Sequence, residues 1–110
     1  MSEYIPRVIV PEGYRGKILL VLVRHAGEEI IVLRSGDLWH REILRNARTE
    51  IAASGLTDAE VEQIGGAYLT FVDSGTIEIG GTSEEFGRCD LDHAADLIRS
   101  AWPEWNVVVR

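Results

Sequence analysis

The stretch of residues 17–24 constrains the fold more than any other, because it is a nearly continuous run of leucine and β-branched residues. Such a run is typical of a strand that is buried on both faces of a sheet, and it is too short to cross a bilayer. A second apolar run, residues 28–33, follows after Ala26-Gly27, and two connecting residues suit a tight antiparallel hairpin. We therefore predict a sheet with the first of these strands at its centre.

Four shorter segments complete the predicted sheet. They are residues 7–10, which lie between two prolines and suit an edge, residues 68–72 and 76–79, which form a hairpin around Asp73-Ser-Gly75, and residues 105–109. Residues 57–64 fit two structures, because Thr57-Asp-Ala-Glu60 has the pattern of a helix capping box whereas Val61-Glu-Gln-Ile64 alternates as a strand does. The sequence leaves this segment open between helix and strand.

Two helices are predicted. The first spans residues 38–53, with Asp37 as its N-cap and Gly55 as the left-handed residue after its end. The second begins after the N-cap Asp90 and ends before Pro103, and its apolar residues repeat at helical spacing. Together with five or six strands in mixed order, they predict a single-domain α/β sandwich, a mixed β-sheet flanked by two helices. We expect all three tryptophans to pack in its core.

The composition argues against several classes of partner. Acidic residues outnumber basic ones by 18 to 11 and no basic cluster stands out, so we predict no binding to nucleic acid or to an anionic membrane. Cys89 is the only cysteine, which rules out an internal disulfide and favours a reducing cytoplasmic location. The first residues lack the basic head and apolar core of a signal peptide. We expect a monomer, because no sustained exposed apolar stripe is evident.

His40 is the first candidate for chemistry, because it continues the apolar stripe of the first predicted helix at its N-terminal end. It should therefore face the sheet and not open water. The positive end of the helix dipole disfavours imidazolium, and a neutral imidazole can act as a base. The alternative is a histidine at the edge of the core that is hydrogen-bonded to backbone, and composition alone favours this alternative.

Three other candidates, one of them a dipeptide, have plainer explanations. Arg24-His25 ends an apolar strand, as the phosphorylated histidine of the histidine phosphatase superfamily does, but the following residues return at once as a strand where that superfamily needs a loop and a helix. His93 lies opposite the apolar stripe of the second helix, and we expect it to be solvated and not a metal ligand. Cys89 lacks the arginine that a cysteine-dependent phosphatase loop requires six positions later, since Ala95 stands there.

Lys17 and the loop of residues 80–87 are candidates for anion binding. Lys17 is the only lysine in the chain, and it begins the predicted central strand. The glycine-flanked loop offers consecutive backbone N–H groups, which are the ingredients of an anion-binding nest, although Glu84 and Glu85 place carboxylates there. Alone, the lysine also fits an ordinary strand end and the loop an ordinary connection.

Short elements along the chain carry a family resemblance. They are Ile5-Pro-Arg-Val8, Lys17 at the start of a strand, Trp39-His40, Ile64-Gly-Gly66, Gly81-Thr-Ser-Glu-Glu-Phe-Gly87, His93-Ala94 and Trp102-Pro-Glu-Trp105-Asn-Val-Val. In their order and spacing, the chain resembles the protein phosphohistidine phosphatases of the Janus/Ocnus type over nearly its whole length.

The resemblance implies roles for four residues. His40 matches the histidine that is thought to act as general base on water, and Lys17 matches the lysine that binds the phosphoryl group. Ser83 and Glu85 match loop positions whose backbone amides hold phosphate oxygens. The implied activity is the hydrolysis of phosphohistidine, a P–N bond, in a protein or peptide without a metal or cofactor. That chemistry suits a small site, because a labile P–N bond needs only a positioned base, one cation and a few amides.

Three positions depart from the family's pattern and leave alternatives open. Trp39 stands where a tyrosine is familiar, Tyr68 where a basic residue is familiar, and Glu85 where a small residue is familiar. One alternative is a non-catalytic module on the same fold that binds phosphate or a phosphoprotein. The other keeps phosphatase chemistry but places it on His25.

Overall fold

The first strand of the predicted hairpin is one of the two central strands of a six-stranded mixed sheet, and its hairpin partner pairs with it on one side. The computed structural model describes residues 5–72 and 75–110. Its strands are β1 (Val8–Ile9), β2 (Arg15–His25), β3 (Glu28–Gly36), β4 (Glu60–Val72), β5 (Thr76–Gly80) and β6 (Asn106–Val109), and its helices are α1 (His40–Ala53) and α2 (Leu91–Ala101). The strand order is β1-β3-β2-β4-β5-β6, in which β1 is parallel to β3 and β5 is parallel to β6. The predicted α/β fold, a mixed sheet of six strands with two helices, is confirmed.

The two helices cover opposite faces of the sheet, and β2 contributes to both cores. Ile18 and Leu20 pack with the buried residues of α2, whereas Leu19 and Val21 pack with those of α1. Successive side chains of a strand point to opposite faces, so a strand between two helical layers needs apolar residues at nearly every position. This explains the continuous apolar run in the sequence.

In the segment that the sequence leaves open, residues 57–64, the part from Glu60 onward is a strand. β4 begins at Glu60 and pairs antiparallel with β2, with Arg24 opposite Glu60. Pairing with the central strand stabilises the extended form, and this tertiary contact outweighs the short capping signal that favours a helix. Residues 73–74 of the predicted hairpin turn lie outside the described residues, but β4 and β5 pair antiparallel on either side, which confirms the hairpin.

The start of the first helix corrects the prediction. α1 begins at His40, and its N-cap residue is Trp39, which makes no side-chain cap hydrogen bond, so Asp37 is not the N-cap. The reason lies in the sheet, where β3 continues through Gly36, which pairs with Lys17 of β2. The chain therefore leaves the sheet later than predicted, and His40 is the first helical residue and not the third.

The other predicted helix boundaries are confirmed. α1 ends at Ala53, and Gly55 has φ of +102°, in the left-handed region that glycine adopts without strain. Asp90 is the N-cap of α2, and its side chain accepts a hydrogen bond from the N–H of His93 at 3.1 Å. Within the part of the chain that the structure describes, neither helix is long and apolar enough to cross a membrane.

The tryptophans divide between core and surface, which corrects the prediction that all three pack in the core. Trp102 and Trp105 pack edge-to-face on Phe71, with ring centroids 5.2 and 4.9 Å away. Trp39 is instead 57% exposed. Because it directly precedes His40, its exposed ring belongs to the surface around the candidate site.

Candidate functional site

His40 lies at the start of α1 and is buried against the sheet, with 3% of its surface exposed. Its Nε2 atom is 3.3 Å from the backbone oxygen of Ala67 on β4. A carbonyl oxygen can only accept a hydrogen bond, so Nε2 carries a proton in this contact, and in the neutral ring the lone pair is then on Nδ1. The hydrogen bond to backbone thus fixes the tautomer in which Nδ1 can act as a base.

His40 borders a cavity. The residue lines a space of about 300 Å³. Its Nε2 atom is engaged with Ala67, and Nδ1 has no hydrogen-bond partner among residues 5–72 and 75–110. Nδ1 is therefore the ring nitrogen that the described part of the protein leaves without a hydrogen bond.

Gly65 and Gly66 make room for the imidazole and for the neighbouring loop. A Cβ atom on Gly66 would lie 2.5 Å from Cδ2 and 2.7 Å from Nε2 of His40, closer than real contacts allow. Gly65 has φ of +101°, and a Cβ there would lie 2.7 Å from the backbone nitrogen of Cys89. The register of β2 and β4 shifts between Leu19 and Val21, opposite this point. The glycine pair is therefore the bulge that lets the histidine approach the sheet.

The loop after β5 is held by hydrogen bonds around Ser83, which is 2% exposed. The Ser83 oxygen accepts a hydrogen bond from the N–H of Gly87 at 2.9 Å, and the Ser83 N–H donates to the oxygen of Gly87 at 3.4 Å. The Ser83 hydroxyl accepts from the N–H of Phe86 at 3.1 Å. These bonds use the Ser83 amide and place Glu84 and Glu85 on the cavity wall. Neither of those two residues' N–H groups has an acceptor among the described residues.

Lys17 and Tyr68 are neighbours on β2 and β4 and form the sheet side of the cavity. The Lys17 ammonium nitrogen lies 5.7 Å from the centroid of the Tyr68 ring, and that ring packs edge-to-face on His40 with centroids 5.9 Å apart. The Tyr14 hydroxyl lies 2.7 Å from the backbone oxygen of Lys17 and accepts a hydrogen bond from the N–H of Gly36. The aromatic side chains thus fix the strand ends that carry the cation.

The cavity brings together three of the four site residues predicted from the sequence. Lys17, His40 and Glu85 line it, whereas Ser83 lies behind the wall and shapes the loop. The cavity is lined by Lys17, Trp39, His40, Arg41, Tyr68, Glu84 and Glu85. Its charged side chains are two cations and two carboxylates. The residues around this space include an imidazole, an ammonium group and a guanidinium beside the two carboxylates.

Sequence reasoning missed the roles of Gly66 and Arg41. The glycine pair contributes to the resemblance, but only the geometry shows that the second glycine seats the histidine. Arg41 directly follows His40, and a cation beside a candidate base is a signal that the sequence carries without explaining. The structure places the Arg41 side chain in the cavity wall, 3.5 Å from the carboxylate of Glu85.

His25 and Arg24 lie at the opposite end of β2 from Lys17, roughly 26 Å away at the usual rise per strand residue. The Nε2 atom of His25 is 2.9 Å from an Asp58 carboxylate oxygen. Arg24 contacts Glu29 at 2.6 Å and Glu62 at 2.8 Å, and these hydrogen bonds raise the pKa of Arg24. This end of the hairpin is therefore an ion-pair cluster that is rich in carboxylates.

The remaining candidates do not join the cavity. Cys89 is buried, and desolvation raises the pKa of its thiol to about 11, so it is not a thiolate nucleophile near neutral pH. His93 lies on α2 and is half-buried beside β3, which is less solvated than expected. Within residues 5–72 and 75–110, no three histidine, cysteine, aspartate or glutamate side chains are grouped so that they could hold a metal ion.

Comparison with known proteins identifies one family. The model of the Janus/Ocnus family (Ocnus) matches residues 2–106 of the chain. No curated protein matches the sequence. The match spans every helix and the described strands up to the first residue of β6, so it includes all the residues of the cavity.

Proposed function

Since this chain belongs to the Janus/Ocnus family, we propose that it hydrolyses the P–N bond of phosphohistidine in a protein or peptide, without a metal ion or cofactor. One observation carries the proposal. His40 is buried with Nε2 against the Ala67 carbonyl, its Nδ1 has no hydrogen-bond partner among the described residues, and it lines the same cavity as Lys17. A fixed base beside a fixed cation is the minimum that such a reaction needs.

His40 is the general base in this proposal. Water gives a proton to Nδ1 while its oxygen attacks phosphorus, so a P–O bond forms as the P–N bond breaks. The leaving imidazole nitrogen takes up the proton that His40 received, directly or through solvent, so the base is restored and the products are phosphate and histidine. The hydrogen bond from Nε2–H to Ala67 holds the ring and carries part of the positive charge that protonation of Nδ1 creates.

Lys17 and the loop hold the phosphoryl group. Phosphoryl transfer through a loose transition state needs positioning and stabilisation of negative charge on the outer oxygens, and little covalent chemistry. The Lys17 ammonium supplies a charge, and the N–H groups of Glu84 and Glu85 supply donors that have no acceptor among the described residues. Ser83 acts behind them, because its hydroxyl and backbone fix the turn.

A phosphate-release assay on a phosphohistidine peptide, with EDTA present, tests this function. We expect release by the wild type, a loss of roughly 10²- to 10⁴-fold in His40→Ala because a positioned base is removed, and an unchanged rate in His25→Ala. Turnover by His40→Ala at the wild-type rate contradicts the role of His40. Loss of activity in His25→Ala, with an acid-labile phosphohistidine trapped on that residue, would move the chemistry to the other end of β2.

The carboxylates in the cavity favour a second candidate function. Glu84 and Glu85 both line it, and Tyr68 provides a ring where a further cation would help turnover. A non-catalytic module that binds phosphate or a phosphoprotein would need the cation and the loop without a fast chemical step. Titration with phosphohistidine peptide separates the two functions, since binding with no phosphate released over hours supports the module.

We also propose that the protein is cytoplasmic and acts as a monomer. Sedimentation equilibrium at concentrations near those of the assay tests the oligomeric state. A dimer with unchanged specific activity on dilution to monomer leaves the proposed chemistry intact.

A further inference from the structure

Arg41 and Glu85 form a contact across the mouth of the cavity. One carboxylate oxygen of Glu85 accepts from the backbone N–H of Arg41 at 3.4 Å, and the other lies 3.5 Å from its guanidinium. The N-cap residue Trp39 supplies no side-chain cap, so the Glu85 carboxylate provides from another element an acceptor that the start of α1 lacks. This contact connects the loop to the helix that carries His40.

The contact is weak enough to be displaced. The Arg41 side chain is 60% exposed and the Glu85 side chain 29% exposed, and both distances lie at the long end of hydrogen bonding. Ion pairs of this kind contribute little net free energy, because water screens the charges. Another anion that offers the same acceptors with more charge can therefore take the place of the carboxylate.

A phosphoryl group has the geometry to do so. Its oxygens accept from a backbone N–H and a guanidinium in the same way as a carboxylate, and arginine pairs with both groups through its planar fork. Arg41 and Glu85 line the same cavity as Lys17 and His40. A phosphoryl group held by Lys17 in that space lies beside the Arg41 contact.

We propose that Arg41 is a second phosphoryl-binding cation of this site and that the Glu85 side chain is an internal carboxylate which occupies Arg41 until a phosphate oxygen displaces it. The inference rests on the proposed function and deepens it, because it assigns the binding specificity to a residue beyond the base, the lysine and the loop amides. Glu85 has two opposing effects. Its backbone N–H donates a hydrogen bond to the anion, whereas its side chain competes with the anion for Arg41.

Binding of inorganic phosphate to the full chain tests the competition. Calorimetry gives the affinity, and the chemical shift of the Arg41 backbone amide reports on the contact itself. Glu85→Gln should tighten phosphate binding by roughly two- to fivefold, because it removes a competing ion pair of the exposed class. Glu84→Gln is the matched control, since it removes the same charge from the same cavity but makes no contact with Arg41 among the described residues.

The arginine is tested in the same way. Arg41→Gln in the Glu85→Gln protein should abolish the gain in affinity. Arg45→Gln is its control, because Arg45 lies one turn further along α1, outside the cavity, and pairs with Glu42 at 3.0 Å. Equal tightening by Glu84→Gln and Glu85→Gln overturns the inference, as does an affinity that ignores Arg41→Gln or a Glu85→Gln protein that binds no phosphate.

These outcomes are distinct from a failure of the proposed function. Phosphate affinity needs no turnover, so the expected pattern of affinities in a protein that releases no phosphate supports the inference and removes the hydrolysis. If the protein releases phosphate but Glu84→Gln and Glu85→Gln change phosphate affinity equally, the proposed function stands and the inference fails. Thermal unfolding of each variant checks that its fold is intact. We expect an intact fold, because the residues exchanged are at the surface or at the cavity wall.

Discussion

The two ends of the β2 and β3 hairpin carry the same types of residue and differ in what surrounds them. Each end has a cation on β2 and a histidine: Lys17 with His40 at one end, Arg24 with His25 at the other. Lys17 forms no ion pair within the described chain, and His40 is buried at the wall of the same cavity. Arg24 is bound by carboxylates, and His25 is within hydrogen-bond distance of Asp58.

The difference shows what makes a site from ordinary residues. An anion is attracted by positive charge that is not already neutralised. The charge of Arg24 is already paired with glutamates, the nearest at 2.6 Å, so these carboxylates would compete with a bound anion. A histidine held to an exposed carboxylate keeps no fixed orientation toward a substrate, whereas burial between a helix and a sheet holds the ring of His40 in place. The candidate chemistry therefore depends on the partners of each residue.

The largest effect is expected from Gly66→Ala, which disturbs the buried histidine without changing any charge. The new methyl group would lie 2.5 Å from the imidazole and must displace it. A shift of about 1 Å in a catalytic group lowers the rate by roughly 10²-fold, so we expect a loss of at least that size in the phosphate-release assay. Gly80→Ala is the control, because the nearest atoms to its methyl group would be the Cβ of Arg110 at 2.9 Å and the backbone oxygen of Arg110 at 3.5 Å, and not the imidazole. Equal losses in both variants would contradict the seating role of Gly66.

Exchanging each cation for methionine compares the two ends directly. Lys17→Met should lower kcat/KM by roughly 10- to 100-fold, because one electrostatic contact to the phosphoryl group is lost. Arg24→Met should leave kcat/KM unchanged, since Arg24 is bound by Glu29 and Glu62 far from the cavity. A measured loss in Arg24→Met that matches the loss in Lys17→Met would show that both act through overall charge, and raising the ionic strength would then reduce both effects together.

Two arginine–glutamate pairs extend the comparison from chemistry to stability. Arg34 is 4% exposed and holds Glu50 through two hydrogen bonds of 2.8 and 2.9 Å, which fasten α1 to β3. Glu50→Gln leaves a buried guanidinium without its counter-charge and should lower the free energy of unfolding by about 2 kcal/mol, less than for a fully buried pair because Glu50 is partly exposed. Urea unfolding measures this loss. Glu62→Gln, at the exposed cluster, should unfold with the wild-type midpoint.

Much of the fold follows from the sequence, because the apolar runs act through general rules. A strand with no polar face must lie between two layers, and the apolar stripe of α2 with Asp90 at its start defines a helix. The start of α1 and the strand at residues 60–64 do not follow, since both depend on pairing with β2, which is distant in the sequence. Local signals at Asp37 and Thr57 favoured other structures, and tertiary pairing outweighed them.

The candidate site follows only in part. The order of short elements points to Lys17, His40 and the loop, and the structure places the lysine and the histidine around one cavity. The seat for the imidazole on Gly66 and the contact between Arg41 and Glu85 are distances between residues far apart in the sequence. Composition and spacing carry no information on such distances, and for the same reason they do not show that the Ser83 N–H donates to the oxygen of Gly87 within the loop.

The smallest effect is expected at alkaline pH from Cys89, whose N–H donates to the backbone oxygen of Gly66 beneath the histidine. Burial raises the pKa of its thiol from 9.0 to about 11, so the folded state holds this proton more tightly than the unfolded state does. The stability from this group is fully present below about pH 9 and is lost as the pH rises through about 11. At pH 10 the loss should be about 1 kcal/mol.

Urea unfolding at pH 7.5 and pH 10 should show a smaller decrease in the free energy of unfolding for Cys89→Ala than for the wild type. Tyr14, whose pKa is also raised by burial, is present in both proteins and cancels. Equal decreases would mean that the thiol ionises as readily in the folded chain as in the unfolded one, and that the backbone under the site is open to water.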